Sequence, residues 1–429
     1  MAGLNRILWL GVPVFCLLTA LGCATAPFEP GSIDKLGFME RVHSKADGDV
    51  RVSVSVLSAE ESKQLFGVDL AGKGIQPVWL RVENHDDEPY WLMFSGLDPD
   101  YFSPLEAAYV NHWRFTEAAR NQMDDYFNDM EFPDPVYPNA TASGFVYVNL
   151  DERMKIVEVD LFSPGEVKSF TFIVRVPGFK ADIDLVDLDA LYPEEDIVHI
   201  DDLEDFRREL ERLPCCTTNE DGGKNGDPLN LVFIGTREDI GGAFVRRGWH
   251  PTERIHSGSM WRTVSAFLTG SRYRYSPVSS LYVYGRQQDI AIQRIRSSIH
   301  MRNHLRLWLS PMRFQGKPVW VGQISRDIGV IFTPKSWTLT THKIDPDVDE
   351  ARNGLIGDLA YSQGLEKFGF VKGVGQAPRS EPRRNLMDDT YYTDGFRVVF
   401  WFEPKPRSLA DVKFVDWARP RGVELLETK

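Results

Sequence analysis

Cysteine is scarce, with four residues in the whole chain. Cys16 and Cys23 belong to the N-terminal apolar region, which leaves only the adjacent pair Cys215-Cys216. That excludes a disulfide framework and a four-cysteine zinc site. Neighbouring cysteines rarely bridge each other, because closing so small a ring strains the peptide between them. Each is therefore expected to be free, or to make a contact that sequence does not identify. Long apolar runs are equally lacking after Cys23. None approaches the ~20 residues that span a bilayer, so the rest of the chain is expected to be soluble.

Several catalytic signatures are missing too. There is no nucleophile-elbow serine. The stretch Gly67 to Gly74 imitates a phosphate-binding loop, but Lys73 is followed by Gly74 where serine or threonine is needed, so it reads as a turn. His300 and His304 stand four apart but enclose Met301-Arg302-Asn303, without the general-base glutamate of a zinc protease. Asp345 to Glu350 lacks the central glycine of a calcium loop. It reads instead as a helix start, with Asp345 as N-cap, Pro346 in the first turn, and Arg352 pairing with Asp349 or Asp345. No metal and no cofactor is expected.

What is present begins at the N-terminus. Arg6 precedes an apolar run from Ile7 to Leu21, too short to span a bilayer and followed by a polar, Pro-containing stretch. This is the layout of a cleaved signal peptide over residues 1–22. Gly22 directly before Cys23 gives the pattern of a bacterial lipoprotein signal, although Ala20 stands where leucine is usual. Cys23 is then the lipid attachment site, and Ala24 after it favours the outer membrane, facing the periplasm. The alternatives are an ordinary secretory signal or an uncleaved anchor. Acylation with more than one chain gives stable membrane attachment.

Charge is divided unevenly. Residues 1–226 hold 19 basic and 41 acidic side chains, a net of −22, whereas residues 227–429 hold 30 and 21, a net of +9. Two units with different partners are expected. The basic half suits an anionic lipid, a glycan or an envelope protein; the plainer alternative is that the two halves dock on each other. An exported chain does not meet the genome, so nucleic acid is excluded as a partner.

After a tether over 23–48, period-two alternation marks half-buried strands at 51–56, 77–84, 90–94, 144–148 and 169–176. Residues 104–130 interrupt them with a helix-compatible insertion. Strands and turns in this order predict an all-β, immunoglobulin-like sandwich over 49–180. Residues 181–226 read as an acidic linker containing one helix at Leu203 to Leu213, with the domain boundary at the loop Asn219 to Gly226.

From Asp227 the pattern changes. A buried strand runs to Gly235, a helix follows the cap Thr236, a second helix is expected at Met260 to Leu268, and strands then dominate. A final helix is expected from Pro346 to about Phe368. This predicts an α+β domain over 227–429 on a largely antiparallel sheet. Within it occur, in order, Asp227-Pro228-Leu229-Asn230, Tyr284-Gly285-Arg286-Gln287-Gln288-Asp289, His304-Leu305-Arg306-Leu307-Trp308, Val319-Trp320-Val321-Gly322, Arg326-Asp327-Ile328-Gly329 and His342-Lys343-Ile344-Asp345-Pro346-Asp347. This ordered set, over about residues 227–375, resembles the LssY C-terminal domain family of bacterial envelope proteins. The resemblance implies neither an activity nor catalytic residues.

The sharpest cluster of chemistry lies on one predicted strand. His304, Arg306 and Trp308 share a face, and Leu305, Leu307 and Leu309 take the other. An open face of this kind would let Arg306 grip an anion and His304 act as acid or base. Asp327 and His342 complete a candidate catalytic set, and Arg286 with Asp289 extends a candidate anion-binding set of Arg286, Asp289, His304, Arg306 and Trp308. The opposing expectation is a buried ion-pair network. The function expected is that of a non-enzymatic binding lipoprotein; the alternative is a hydrolase acting on phosphorylated or acylated envelope molecules.

Overall fold

A computed structural model of the protein describes residues 27–151, 154–177, 188, 190–251, 281–295, 302–332 and 340–420. The signal region with Cys23, the helix expected at Met260 to Leu268, and His300 lie outside the described residues. No described helix is long and apolar enough to cross a membrane. The chain is rich in sheet, and most of its pairing is antiparallel.

The N-terminal unit contains two antiparallel sheets. One joins His43–Asp47, Val50–Val56, Ile75–Asn84 and Ala140–Asn149; the other joins Trp91–Leu92, Met154–Ser163 and Glu166–Arg175. Alternate residues of both, such as Val52, Val54, Leu80, Val146, Val159 and Phe172, form one apolar cluster between them. The strand Met154–Ser163 was not expected, because Glu158 and Asp160 sit in its interior like surface residues. Both are buried. The side of this strand away from the apolar cluster meets the other domain rather than solvent.

The outer face of the first sheet is covered as well. Trp79, Phe145 and Tyr147 pack with Phe66 and Phe127 under the insertion, whose helices are Pro104–Tyr109 and Glu117–Asp129. Ser103 and Glu106 close a capping box on the first helix, and Thr116 caps the second. Phe28 and Phe38 belong to the same cluster. Residues 28–48, expected to be tether, are thus part of the body: burying each phenylalanine contributes about 2–3 kcal/mol, enough to hold a segment of otherwise polar sequence.

The C-terminal unit is organised by a ten-stranded sheet. Its central path runs His250–Pro251, Ile290–Ile295, Arg302–Phe314, Lys317–Phe332, Leu231–Ile234, Phe396–Phe402, Leu365–Lys372 and Lys413–Val415. Leu231–Ile234 pairs parallel with Phe396–Phe402 and antiparallel with Lys317–Phe332. Helices Arg237–Val245 and Val348–Tyr361 cover one face through Ile240, Phe244, Leu355 and Leu359. Helix Leu203–Arg212 covers part of the other through Phe206 and Leu210. Gly322 opposes Leu307 in the register, and a Cβ there would lie 2.8 Å from Leu307 Cδ2 and 3.1 Å from Leu231 Cβ. The bare backbone is what lets those two leucines meet.

Four expectations change here. The last long helix ends at Tyr361, and Leu365–Lys372 is a strand, because its alternating side chains feed both sheet faces. Its N-cap is Asp347, which accepts from the N–H groups of Asp349 and Glu350, while Asp345 accepts from Asp347 N–H. The acidic linker is not a linker over its second part. Val198–Ile200 pairs with Met312 to Phe314, and the loop expected at Asn219 to Gly226 is a turn over 219–224 between paired strands Cys216–Thr218 and Asn225–Pro228. Cys215 and Cys216, expected not to bridge, are joined as a vicinal disulfide.

The two units meet along helix Arg237–Val245. A Cβ on Gly241 would lie 3.2 Å from Ile156 Cδ1, and one on Gly242 would lie 2.5 Å from Glu158 Oε2. Glycine at these positions admits the strand Met154–Ser163 against the helix. Arg246 then donates to Asp160 at 2.9 and 2.8 Å, to Glu158 at 2.5 Å and to Ser169 at 3.2 Å. Burial raises the Glu158 pKa to about 7; the Arg246 charge opposes the rise and Asp160 adds to it.

Candidate functional site

Strand Arg302–Phe314 places His304, Arg306 and Trp308 on one face, and Leu305, Leu307 and Leu309 pack under the two helices on the other. Cross-strand register supplies the neighbours. Gln293 and Ser325 flank His304, and Ala291 and Gln323 flank Arg306. Arg302 lies two residues earlier on the same face. This end of the sheet face is polar, whereas Trp308 and Val321 continue it as an apolar patch beneath Leu281 and Val283.

The polar groups engage one another. His304 Nε2 lies 2.5 Å from Asp327 Oδ2, a contact in which the imidazole donates and the carboxylate accepts. Arg302 Nε donates to the same oxygen at 3.3 Å, and its Nη1 donates to Gln293 Oε1 at 3.0 Å. Arg306 Nη1 donates to Gln323 Oε1 at 2.8 Å. Asp227, on the segment that enters the sheet, accepts from Asn385 Nδ2 at 2.9 Å and is an electrostatic partner of Arg306. Two arginines and two aspartates thus share one interior region with one histidine. Burial depresses the His304 pKa to about 4, against the pull of Asp327 and with help from the Arg302 charge, so the imidazole is neutral at pH 7. Burial likewise raises Asp227, with Arg306 opposing.

These side chains are enclosed: His304 and Arg306 are each 5% exposed and Asp327 is 2% exposed. His342 lies on strand Thr340–Ile344 opposite Val330, and its side chain is outside the described set. Arg286 and Asp289 stand at the other end of the face. Arg286 holds Asp289 through two hydrogen bonds of 3.0 and 2.9 Å, and donates to Tyr192 Oη and the Leu309 carbonyl. Asp289 also accepts from Leu309 N–H at 2.7 Å, and Trp308 Nε1 donates to the Arg286 carbonyl at 3.2 Å. The expected five-residue anion face is thus two local networks, one around Asp327 and one around Asp289.

Sequence reasoning passed over Arg302, Gln293, Gln323, Asp227 and Asn385 as members of the cluster. The period-two rule that selected His304 also points to Arg302, and Gln323 follows from pairing with Arg306. Asp227 and Asn385 carry no such signal, since they reach the region from separate segments. Asn230, in the same short motif as Asp227, is a fastener. Its Oδ1 accepts from Ile324 N–H at 3.0 Å, and its Nδ2 donates to the Ile324 and Val348 carbonyls at 3.4 Å.

Elsewhere, a cleft of about 270 Å³ opens at the start of helix Val348–Tyr361, lined by Asp347, Asp349, Asn353, Phe370 and Asp394 among others. Arg352 is fully buried behind it, bonded to Asp394 at 2.7 and 2.9 Å and paired with Asp349 at 3.2 Å. Carboxylates line this cleft, so its chemistry is unsuited to an anion. Arg397, also fully buried, donates to the carbonyls of Leu229, Leu210, Leu213, Pro214 and Gly373. It binds helix Leu203–Arg212 and the Cys215-Cys216 approach to the sheet.

No curated protein matches the chain. Residues 207–396, which include Asp227, Arg302, His304, Arg306, Gln323, Asp327 and Asn385, match the family model described as LssY C-terminus.

Proposed function

We propose that this is a bacterial envelope lipoprotein, anchored in the outer membrane through acylated Cys23 and facing the periplasm, that acts by binding. The paired N-terminal sheets, read as an immunoglobulin-like sandwich, serve as spacer or interaction module. The C-terminal unit takes an anionic lipid, a glycan or an envelope protein. The anchor reading rests on the signal layout that ends at Gly22-Cys23. The non-catalytic reading is carried by the enclosure of His304, Arg306 and Asp327, which any substrate would have to open. Arg246, Arg302, Arg306, Arg352 and Arg397 lie in the interior or the domain interface. An anionic ligand would therefore meet outlying cations such as Arg384, Lys405 and Lys413, which are exposed.

One observation favours the alternative, a hydrolase of phosphorylated or acylated envelope molecules. A neutral imidazole 2.5 Å from a carboxylate, with two guanidinium groups on its face, has the parts of a general base beside an anion site. Steady-state assays of the full chain with p-nitrophenyl phosphate and p-nitrophenyl acetate separate the two. Binding predicts no turnover that His304→Gln removes. Turnover that is lost in a folded His304→Gln variant would establish the hydrolase. For the anchor, Cys23→Ser should move most of the protein from the membrane to the soluble periplasmic fraction; retention at the wild-type level would sink that part.

A further inference from the structure

The helix Pro104–Tyr109 is built with its size order reversed. Pro104, Ala107 and Ala108 face inward and are buried, while Leu105 and Tyr109, one turn apart, face outward at 50% and 72% exposure. Val110 and Trp113 continue the outward set at 38% and 63% exposure. Arg114, exposed, stacks on the Trp113 ring at 4.3 Å. Single exposed apolar residues are ordinary, but four within nine positions, including the amphipathic rings of Tyr109 and Trp113, form a patch.

Its position in the chain gives it an occupant. Phe28 is buried against Phe115, with ring centroids 6.2 Å apart, and Phe115 follows Trp113 by two residues. Phe28 stands five positions after Cys23, a reach of at most about 17 Å when fully extended. An acyl chain on Cys23 would therefore hold this corner of the protein at the lipid surface.

We propose that Leu105, Tyr109, Val110 and Trp113 insert into the headgroup region of the anchoring bilayer, with Arg114 at the phosphate level. This rests on the lipoprotein reading. Tyrosine and tryptophan favour that interface because each has an apolar body and a polar tip. The arginine stem lies along apolar surface while its charge stays wet. The N-terminal half is strongly acidic, so zwitterionic rather than anionic lipid is the fitting surface. The lipid and the patch together would fix the orientation of the protein as two anchor points.

Two measurements test this apart from acylation. The full-length mature protein with Cys23→Ser, carrying no lipid, should co-sediment weakly with phosphatidylethanolamine–phosphatidylcholine vesicles, and Leu105→Ser with Trp113→Ser should reduce that several-fold without changing circular dichroism. Acylated wild type in vesicles with brominated acyl chains should show a quenched tryptophan component that Trp113→Phe removes. Equal sedimentation of the variant, no sedimentation at saturating lipid, or quenching unchanged by Trp113→Phe would overturn the proposal. Cross-linking of the patch to another envelope protein, without quenching, would also overturn it. Absence of acyl label on Cys23 would refute the anchor alone, and the Cys23→Ser sedimentation would still decide the patch.

Discussion

His304 illustrates how burial decides the behaviour of a single group. Its folded pKa, about 4, lies below its ordinary value of 6.5. As pH falls the unfolded chain therefore takes up the proton first. The stability associated with a neutral His304 is present above about pH 6.5 and is lost as pH drops through 4, a total of about 3 kcal/mol. Glu158 and Asp349 act in the opposite sense, because burial raises both, and the protein gains from their protonation as pH falls. The difference in stability between wild type and His304→Gln isolates the histidine: it should shrink between pH 7 and pH 4 in denaturant titrations. Arg397 shows the other way to bury a cation, among carbonyl dipoles. Removing it leaves several acceptors without their donor, so Arg397→Met should lower stability by about 3–5 kcal/mol in the same titration. The enclosed His304 network was one of the two expectations from sequence, whereas the Arg397 role was not legible, since nothing local marks Arg397 as interior.

At the scale of elements, the alternation of strand Arg302–Phe314 was legible because its two faces have distinct chemistries. Strand Met154–Ser163 was not, because its buried acids imitate a solvated face and their partner, Arg246, comes from 86 residues away in the case of Asp160. The same non-local pairing hid the boundary: the acidic stretch around Leu203–Arg212 reads as linker, yet Phe206 and Leu210 are core and the charged residues are its outer face. Arg246→Ala would leave Glu158 and Asp160 buried without their cation, and should destabilise the protein by about 3–5 kcal/mol. Glu158→Gln in that background should recover part of the loss at pH well above 7, where an ionised Glu158 would be stranded without its cation. Thermal melts of the three proteins check the order.

For the whole molecule, the charge imbalance between halves has a partial internal explanation. Arginine from the basic half is spent on buried aspartates, on carbonyls and on the acidic half itself, so the surplus is less available at the surface than the count suggests. The signal layout remains the most direct statement of location, and it comes from residues outside the described fold. The body already packs at Phe28 and Phe38, so most of the segment expected as tether belongs to the fold. On the proposed anchoring through Cys23, distance from the membrane would then be set by the protein's own shape.

The glycine pair Gly241-Gly242 carries a practical consequence. The family segment 207–396 looks like a module that could be cut out and studied alone. Excised, it would present helix Arg237–Val245 with a bare notch where Ile156 and Glu158 sit, and with Arg246 deprived of its acids. Such a fragment carries an unfilled socket on its surface, and material prepared from it is expected to self-associate through that socket. A boundary drawn by family resemblance is here not a boundary of folding.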